Sequence, residues 1–362
     1  MRTVGVEEEF LLVDEAQRKV RPLAGRLFAS LDAPGTDQVA SAEFKDEQAE
    51  IASAPWENMS GLRDDLVVRR RRAADAAEQV GARLAAVGTC PTPVTPTGSS
   101  DPRYQRITAE YGLLARTHLT CGTHVHVSID SREEGIEVLN RIRPWLSVLT
   151  ALSANSPFWN DEDSGYASYR TIMCSRWPTA GPVEMFADPA DYDRRVRTLI
   201  ATEVIADAGM VYFDARLSSR FPTVEVRVAD ACSDVDNSVL AAALSRALVE
   251  TAARDARDGV PPISTDVTML RGAAWRAARS GLSGDLIDVR AGRAVAAWSL
   301  VDALFDHVDR SLVEHGDAGR TERLLNGLRA TGTGADRQRA IHARRGRTQD
   351  VLDDVVERTG KG

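Results

Sequence analysis

The 362-residue sequence predicts an α+β protein. Segments of strand character fall at 4–13, 84–88, 119–129, 210–214 and 223–229, all in the first two thirds of the chain. From residue 235 onward the pattern turns helical, through 237–258, 266–280, 296–314 and 318–330. A last helical stretch follows the Gly332-Thr333-Gly334 turn and ends near Thr359. Strands and helices so segregated argue against a regularly alternating βα barrel. With no solenoid repeat and no low-complexity linker, residues 1–362 read as one domain with a mostly helical last third.

The opening segment, Val4-Gly5-Val6-Glu7-Glu8-Glu9-Phe10-Leu11-Leu12-Val13, reads as a buried strand that carries three carboxylates. Buried carboxylates must be neutralised, paired or used to hold a cation. Alternate residues of a strand share a face, so Glu7 and Glu9 point one way and Glu8 points the other, with Phe10 and Leu12. The segment Glu43-Phe44-Lys45-Asp46-Glu47-Gln48-Ala49-Glu50-Ile51 adds further acids; its periodicity is ambiguous, and exposed helix is its ordinary reading. Residues 60–82 predict a helix, with Leu62, Leu66, Ala73 and Ala77 on one side and the Arg69–Arg72 run on a solvated face. The Pro/Thr/Ser/Gly-rich stretch 91–102 predicts a surface loop beside the site.

The strand at 119–129 puts Thr120, Gly122, His124, His126 and Ser128 on one face and apolar side chains on the other. Two imidazoles on one polar row favour metal or phosphate binding over a structural role. In Thr223-Val224-Glu225-Val226-Arg227-Val228, Glu225 and Arg227 share a face. They can pair with each other, or Glu225 can bind metal while Arg227 grips an anion. Many carboxylates with few histidines suit Mg²⁺ or Mn²⁺. No GxxxxGK[ST] loop is present, which leaves an ATP enzyme of another kind. The alternative in another class is a zinc hydrolase using His124 and His126; the other histidines, His118, His307, His315 and His342, fit it poorly.

Composition sets the outer bounds. A net charge of -8 argues against nucleic-acid binding, and no segment approaches the roughly 20 apolar residues of a membrane span. Cys90, Cys121, Cys174 and Cys232 are scattered without a CxxC pair, and the chain enters a strand almost at once, so a cytoplasmic protein is expected. The helical surfaces of the last third are compatible with a homo-oligomer.

The ordered motifs resemble the bacterial type 2 glutamate–cysteine ligases, ATP-dependent carboxylate–amine ligases. The resemblance covers nearly the whole chain. It runs through Val4–Phe10, Glu43–Ile51, Arg103-Tyr104, Cys121–Val127, Ser153–Pro157, Ser168–Thr171, Arg176–Pro178, Thr223–Arg227 and Gly332–Gln338. It implies a glutamine synthetase-like catalytic fold, a curved, mainly antiparallel sheet forming a funnel backed by helices. Glu225 and Arg227 with Asp230 and Asn237 are similar to that fold's Glu-x-Arg-x-x-Asp segment and downstream Asn.

The same resemblance implies site roles. Glu7, His124 and Glu225 would surround one metal and Glu9, Glu43 and Glu50 another, with Mg²⁺ or Mn²⁺ as the ion. His126 and Arg170 would face ATP phosphates, and Arg227 the substrate carboxylate or acyl phosphate. Arg103, Tyr104 and Arg176 would belong to the pocket, Arg176 toward the nucleotide. The implied reaction phosphorylates glutamate with ATP and joins it to an amine such as cysteine, Arg170 and Arg227 acting as catalytic residues; a different acceptor is the alternative. Two departures stand out. Cys90 in Gly88-Thr89-Cys90-Pro91 replaces a histidine common in the family, and Glu8 stands where the synthetases commonly carry proline.

Overall fold

The computed structural model describes residues 1–31 and 40–361. Its strands are β1 (Val4–Asp14), β2 (Lys19–Val20), β3 (Ser41–Ala42), β4 (Gln48–Ala52), β5 (Ala82–Ala85), β6 (Gly122–Ser128), β7 (Phe158–Trp159), β8 (Glu162–Asp163), β9 (Ala215–Leu217), β10 (Thr223–Asp230), β11 (Asp285–Asp288) and β12 (Arg293–Ala296). Among the described residues, eight strands form one antiparallel sheet in the order β3-β4-β1-β6-β10-β9, with β2 and β5 also pairing with β1. The α+β class holds, and the mostly helical last third is interrupted only by the β11–β12 hairpin.

Strict alternation gives the sheet one apolar and one polar face. Val4, Val6, Val125, Val127, Val224 and Val226 fill the apolar face and join the main core. The helix Val235–Arg257 lies against it and is buried on nearly all sides, because helices Met59–Gln79, Arg132–Ile142 and Ala297–Glu314 pack around it. Each aliphatic side chain so buried contributes about 1.5–3 kcal/mol. The polar face is left to carry the site.

Glu8 is the exception on the apolar face, and its partner explains it. Arg70, from the helix Met59–Gln79, grips the Glu8 carboxylate with two nitrogens at 2.8 and 2.6 Å. Ser238 Oγ donates to the same carboxylate at 2.5 Å, and the spare guanidinium protons go to the carbonyls of Cys232 and Ser233. Both side chains are 1% exposed. The solvated face expected for Arg69–Arg72 is therefore corrected at Arg70: the helix turns that one arginine inward, where β1 supplies a counter-charge.

Other elements also depart from expectation. Residues 43–51 are not a helix; their second half is β4, whose Glu50 pairs with Glu9 in register. The strand expected at 210–214 lies at Ala215–Leu217, after a short 3-10 turn at Ala208–Met210. The predicted helix 60–82 ends at Gln79, because Gly81 takes a φ of +72°, open to glycine at no steric cost, and turns the chain into β5. In β10 the three steps from Val226 to Ala229 span what the two steps from Val125 to Thr123 span in β6, a β-bulge. Its effect is that Glu225, opposite His126, and Asp230, opposite Gly122, share the polar face despite their odd separation.

Candidate active site

The register of the central strands assembles the site. Glu7 lies opposite His124 across β1 and β6, Glu9 opposite Glu50 across β1 and β4, and Glu225 opposite His126 across β10 and β6. His124 Nδ1 is 3.5 Å from Glu7, and its Nε2 is 3.9 Å from Glu9. His126 Nε2 stands 3.3 Å from Glu7 and 4.0 Å from Glu225, and its Nδ1 is fixed by Thr223 Oγ1 at 3.0 Å. Two groups place their ligand atoms within 4.8 Å of one another: Glu7, His124 and Glu225, and Glu9, Glu50 and His124. The first is the set the family resemblance implies. In the second, His124 stands where Glu43 was expected, and Glu43 instead interacts with Glu50.

These residues fit divalent cations. The Nε2 atoms of His124 and His126 are buried without a hydrogen-bond partner, an arrangement that costs free energy unless something is bound. Burial pushes the Glu9 carboxyl up to about 7, with the Glu50 charge adding to the effect. Burial and the Glu9 charge likewise raise Glu43 to about 7, and burial with the Glu43 charge raises Glu50. Burial and the Arg227 charge depress His124 to about 4, leaving a neutral imidazole. A neutral imidazole has a single acceptor nitrogen, so His124 serves one of the two groups at a time. Glu7 is the opposite case: against the cost of burial, the close approach of His124 and His126 holds it well below the usual carboxylate range.

Arginines flank the carboxylates. Arg216 from β9 clamps Glu225 at 2.7 and 3.1 Å, and Arg227 pairs with the same carboxylate. Burial works against ionisation of Glu225, but Arg227 and Arg216 together hold it ionised. Arg170 reaches over Gly122, and one of its nitrogens donates to the Arg227 carbonyl at 3.2 Å. Its Nε is buried with no partner.

The segment that presents Arg170 is tied down from below. Asp230 accepts from Ser156 Oγ and Ser168 Oγ, each at 2.7 Å, and from the Asn155 amide at 2.8 Å; Ser156 Oγ in turn accepts from the Arg170 amide. Gln338 and the close approach of Gly334 hold Asn155 from the far side, where a Cβ on Gly334 would lie 2.0 Å from Asn155 Oδ1. The segments Ser153–Pro157, Ser168–Thr171 and Gly332–Gln338 thus form the mount for one guanidinium.

Gly122 offers a direct test of that mount. A Cβ there would sit 2.3 Å from an Arg170 nitrogen. Gly122→Ala is expected to fold normally, because the atom that must give way is the end of a flexible side chain. Turnover should fall by about 100-fold through displacement of Arg170. Wild-type turnover in Gly122→Ala would show that the Arg170 position is unimportant.

A cavity of about 610 Å³ opens from this row, lined by Glu9, Glu43, His124, Arg170, Arg176 and Arg227 among others. Other lining residues to which the sequence reading gives no site role include His118, Gln48, Asp214 and Arg271. Arg216, which clamps Glu225 outside the lining, likewise has no role there, because the expected strand ended at residue 214. Arg103 and Tyr104 do not line the cavity. Arg103 is engaged by Asp207 at 2.7 and 2.8 Å, and Tyr104 packs edge-on against Phe44. The 91–102 loop stays outside as well, with Thr97 hydrogen-bonded to Glu47. Cys90 is buried in an apolar cluster with Leu11, Val87 and Leu119, away from the cavity, and its departure from histidine leaves the lining untouched.

Comparison with known proteins gives the family and the fold. The family described as glutamate–cysteine ligase family 2 matches residues 3–358. A Frankia alni protein provisionally named glutamate–cysteine ligase 2-2 is 51% identical, the match covering 99% of this chain and 97% of that one. A Streptomyces avermitilis protein provisionally named glutamate–cysteine ligase 2-1 is 46% identical over 99% of each. In fold, the chain is similar to the glutamate–cysteine ligase of Francisella tularensis solved with AMP (TM-score 0.73, 12% identity), covering 100% of this chain and 89% of that one. It is similar also to a bifunctional glutathione synthetase from Pasteurella multocida (TM-score 0.73, 12% identity), covering 99% and 52%. The chain belongs to glutamate–cysteine ligase family 2.

Proposed function

We propose that this protein is an ATP-dependent carboxylate–amine ligase that joins the γ-carboxyl of glutamate to the amine of cysteine, acting as one catalytic unit over 1–362. The carrying observation is the juxtaposition of two carboxylate–imidazole groups with an arginine-lined cavity on one sheet face. Family membership and the names of the relatives supply glutamate and cysteine.

Glu7, His124 and Glu225 would hold one divalent cation, and Glu9 and Glu50, with Glu43 beside them, a second. The mainly oxygen donor set favours Mg²⁺ or Mn²⁺ over zinc. A bound cation supplies positive charge against the phosphate oxygens. Arg170 and Arg227 aim guanidinium donors into the cavity, placed to stabilise the transferring phosphoryl group and the later oxyanion. Arg176 and His126 are assigned to the nucleotide phosphates, and Arg227 also to the donor carboxylate. No described helix is long and apolar enough to cross a membrane, and the four cysteines are free, which accords with a cytoplasmic enzyme of small-molecule substrates.

The deciding experiment measures ADP and phosphate release with ATP, glutamate and Mg²⁺ or Mn²⁺ across a panel of amines, with the product identified by mass. Cysteine-dependent release with γ-glutamylcysteine formed is the expected result. Release with another amine moves the acceptor. Stoichiometric zinc with ATP-independent hydrolysis replaces the reading with the hydrolase.

Metal binding should also depend on pH in a defined direction. Glu9, Glu43 and Glu50 hold protons at higher pH than ordinary carboxyls, so a cation must displace them. Mn²⁺ affinity is therefore expected to rise about tenfold or more between roughly pH 6 and pH 8, with proton release visible by calorimetry in buffers of different ionisation enthalpy. A flat profile would place the ion elsewhere.

A further inference from the structure

We propose that Asp214 receives the ammonium group of the acceptor and takes its proton, which makes it the acid–base residue of the second half-reaction. The assignment rests on the ligase reading above and adds what that reading lacks, since an amine that arrives as a cation must lose a proton before it attacks.

Three acids line the cavity: Glu9, Glu43 and Asp214. The first two belong to the carboxylate–imidazole row, Glu9 as a proposed ligand and Glu43 as the neighbour of Glu50. Asp214 stands apart from that row. Its main chain is fixed on both sides: the Asp214 amide donates to the Gly181 carbonyl at 3.0 Å, and its carbonyl accepts from the Arg227 amide at 2.9 Å. The second bond ties Asp214 to the residue assigned to the acyl group. Among the described residues, its carboxyl has neither a hydrogen bond nor an ion pair, whereas its backbone is held on both sides.

The charges that face it are Arg170, on the helix Tyr169–Cys174, and Arg271, on the helix Val267–Ser280, with Arg227 alongside on β10. Burial pushes the Asp214 carboxyl up to about 7 while Arg170 and Arg271 pull the other way. A group titrating there is ionised often enough to bind an ammonium and basic enough to accept its proton.

The step balances. The Asp214 carboxylate takes one proton from R–NH₃⁺, giving the neutral amine and the protonated acid. The nitrogen lone pair forms the C–N bond at the acyl phosphate carbonyl. The C–O bond to phosphate breaks, and the second nitrogen proton leaves with the phosphate. Asp214 then returns its proton to water.

The test uses the full chain with ATP, glutamate and metal, and compares two nucleophiles. Hydroxylamine is largely neutral near neutral pH and needs no base, so hydroxamate formation reports the first half-reaction alone. In Asp214→Asn, amide formation with the amino-acid acceptor should fall roughly 10²- to 10⁴-fold, with the acceptor KM raised and the acidic limb of the pH profile lost. Hydroxamate formation and the KM for ATP should stay within a few-fold of wild type. Asp214→Glu, which keeps the carboxyl, should recover part of the amide rate. Equal rates for the two nucleophiles in Asp214→Asn, or loss of both in the Asn and Glu variants alike, overturns the assignment. A wild-type protein that forms hydroxamate from no carboxylate removes the ligase reading itself, and the assignment with it.

Discussion

Glu9→Gln is expected to reduce ATP-dependent turnover by roughly 10³-fold while making the metal-free protein more stable, the activity loss being of the size seen when a preorganised charge is taken from a transition state. The glutamine oxygen can still accept the Gly122 amide, which Glu9 now takes at 2.6 Å, so the strand pairing survives. Stability moves the other way because burial raises the Glu9 carboxyl to about 7. A carboxyl with a raised folded-state pKa carries no penalty below its unfolded pKa near 4.5. Between that pH and about 7 the unfolded chain loses the proton while the folded state keeps it, so stability falls, and the penalty levels off once the folded state ionises too. The gain from Glu9→Gln should therefore be absent near pH 4.5 and reach about 1–3 kcal/mol above roughly pH 7 in EDTA, read from urea melts. Divalent cation should invert the order, stabilising wild type more than the variant. Unchanged turnover would remove Glu9 from the site.

Arg70→Ala is expected to cost about 3–5 kcal/mol, the cost of leaving a buried charge without its partner. The loss is larger than that of an ordinary surface pair because Glu8 and Arg70 are each 1% exposed and the carbonyls of Cys232 and Ser233 lose their donor too. A double variant with apolar side chains at both positions should recover most of the stability, since a packed apolar pair often equals or exceeds a buried ion pair. Substrate KM values should stay as they are in that double variant, because the pair lies on the sheet face away from the cavity. A cost under about 1 kcal/mol for Arg70→Ala would mean that water reaches Glu8.

The site was legible in the sequence wherever a strand alternates. Glu7 and Glu9, His124 and His126, and Glu225 and Arg227 were assigned to faces by period alone, and the register of β1, β6 and β10 brings those faces together. What escaped was set by contacts across long sequence distances. Arg70 reads as one of four helical arginines, and only the packing of its helix under β1 distinguishes it from Arg69, Arg71 and Arg72. β4 is short and follows an acidic segment, and its strand character comes from pairing with β1 rather than from its own propensity. Asp214 precedes β9 and Arg216 lies within it, and their backbone is fixed by Gly181 and by β10, partners that no local pattern announces. The family resemblance identified Ser153–Pro157 and Gly332–Gln338 without saying what they do; the structure gives them the task of holding Arg170.

The bulge in β10 has a consequence for how this chain can vary in length. A strand addresses one side of a sheet with every second residue, so a single strand ordinarily cannot serve two structures spaced an odd number of residues apart. The extra residue between Val226 and Ala229 lifts that restriction, and lets β10 deliver both Glu225, the acid proposed as a cation ligand, and the anchor of the Arg170 segment. Loss of one residue there would leave Glu225 in place and rotate Asp230 into the apolar core, stranding Ser156 and Ser168 together. Insertions and deletions are tolerated in surface loops because nothing downstream counts residues. Here the count is itself a working part, and the interval from Glu225 to Asp230 behaves as a fixed gauge between two machines on one rail.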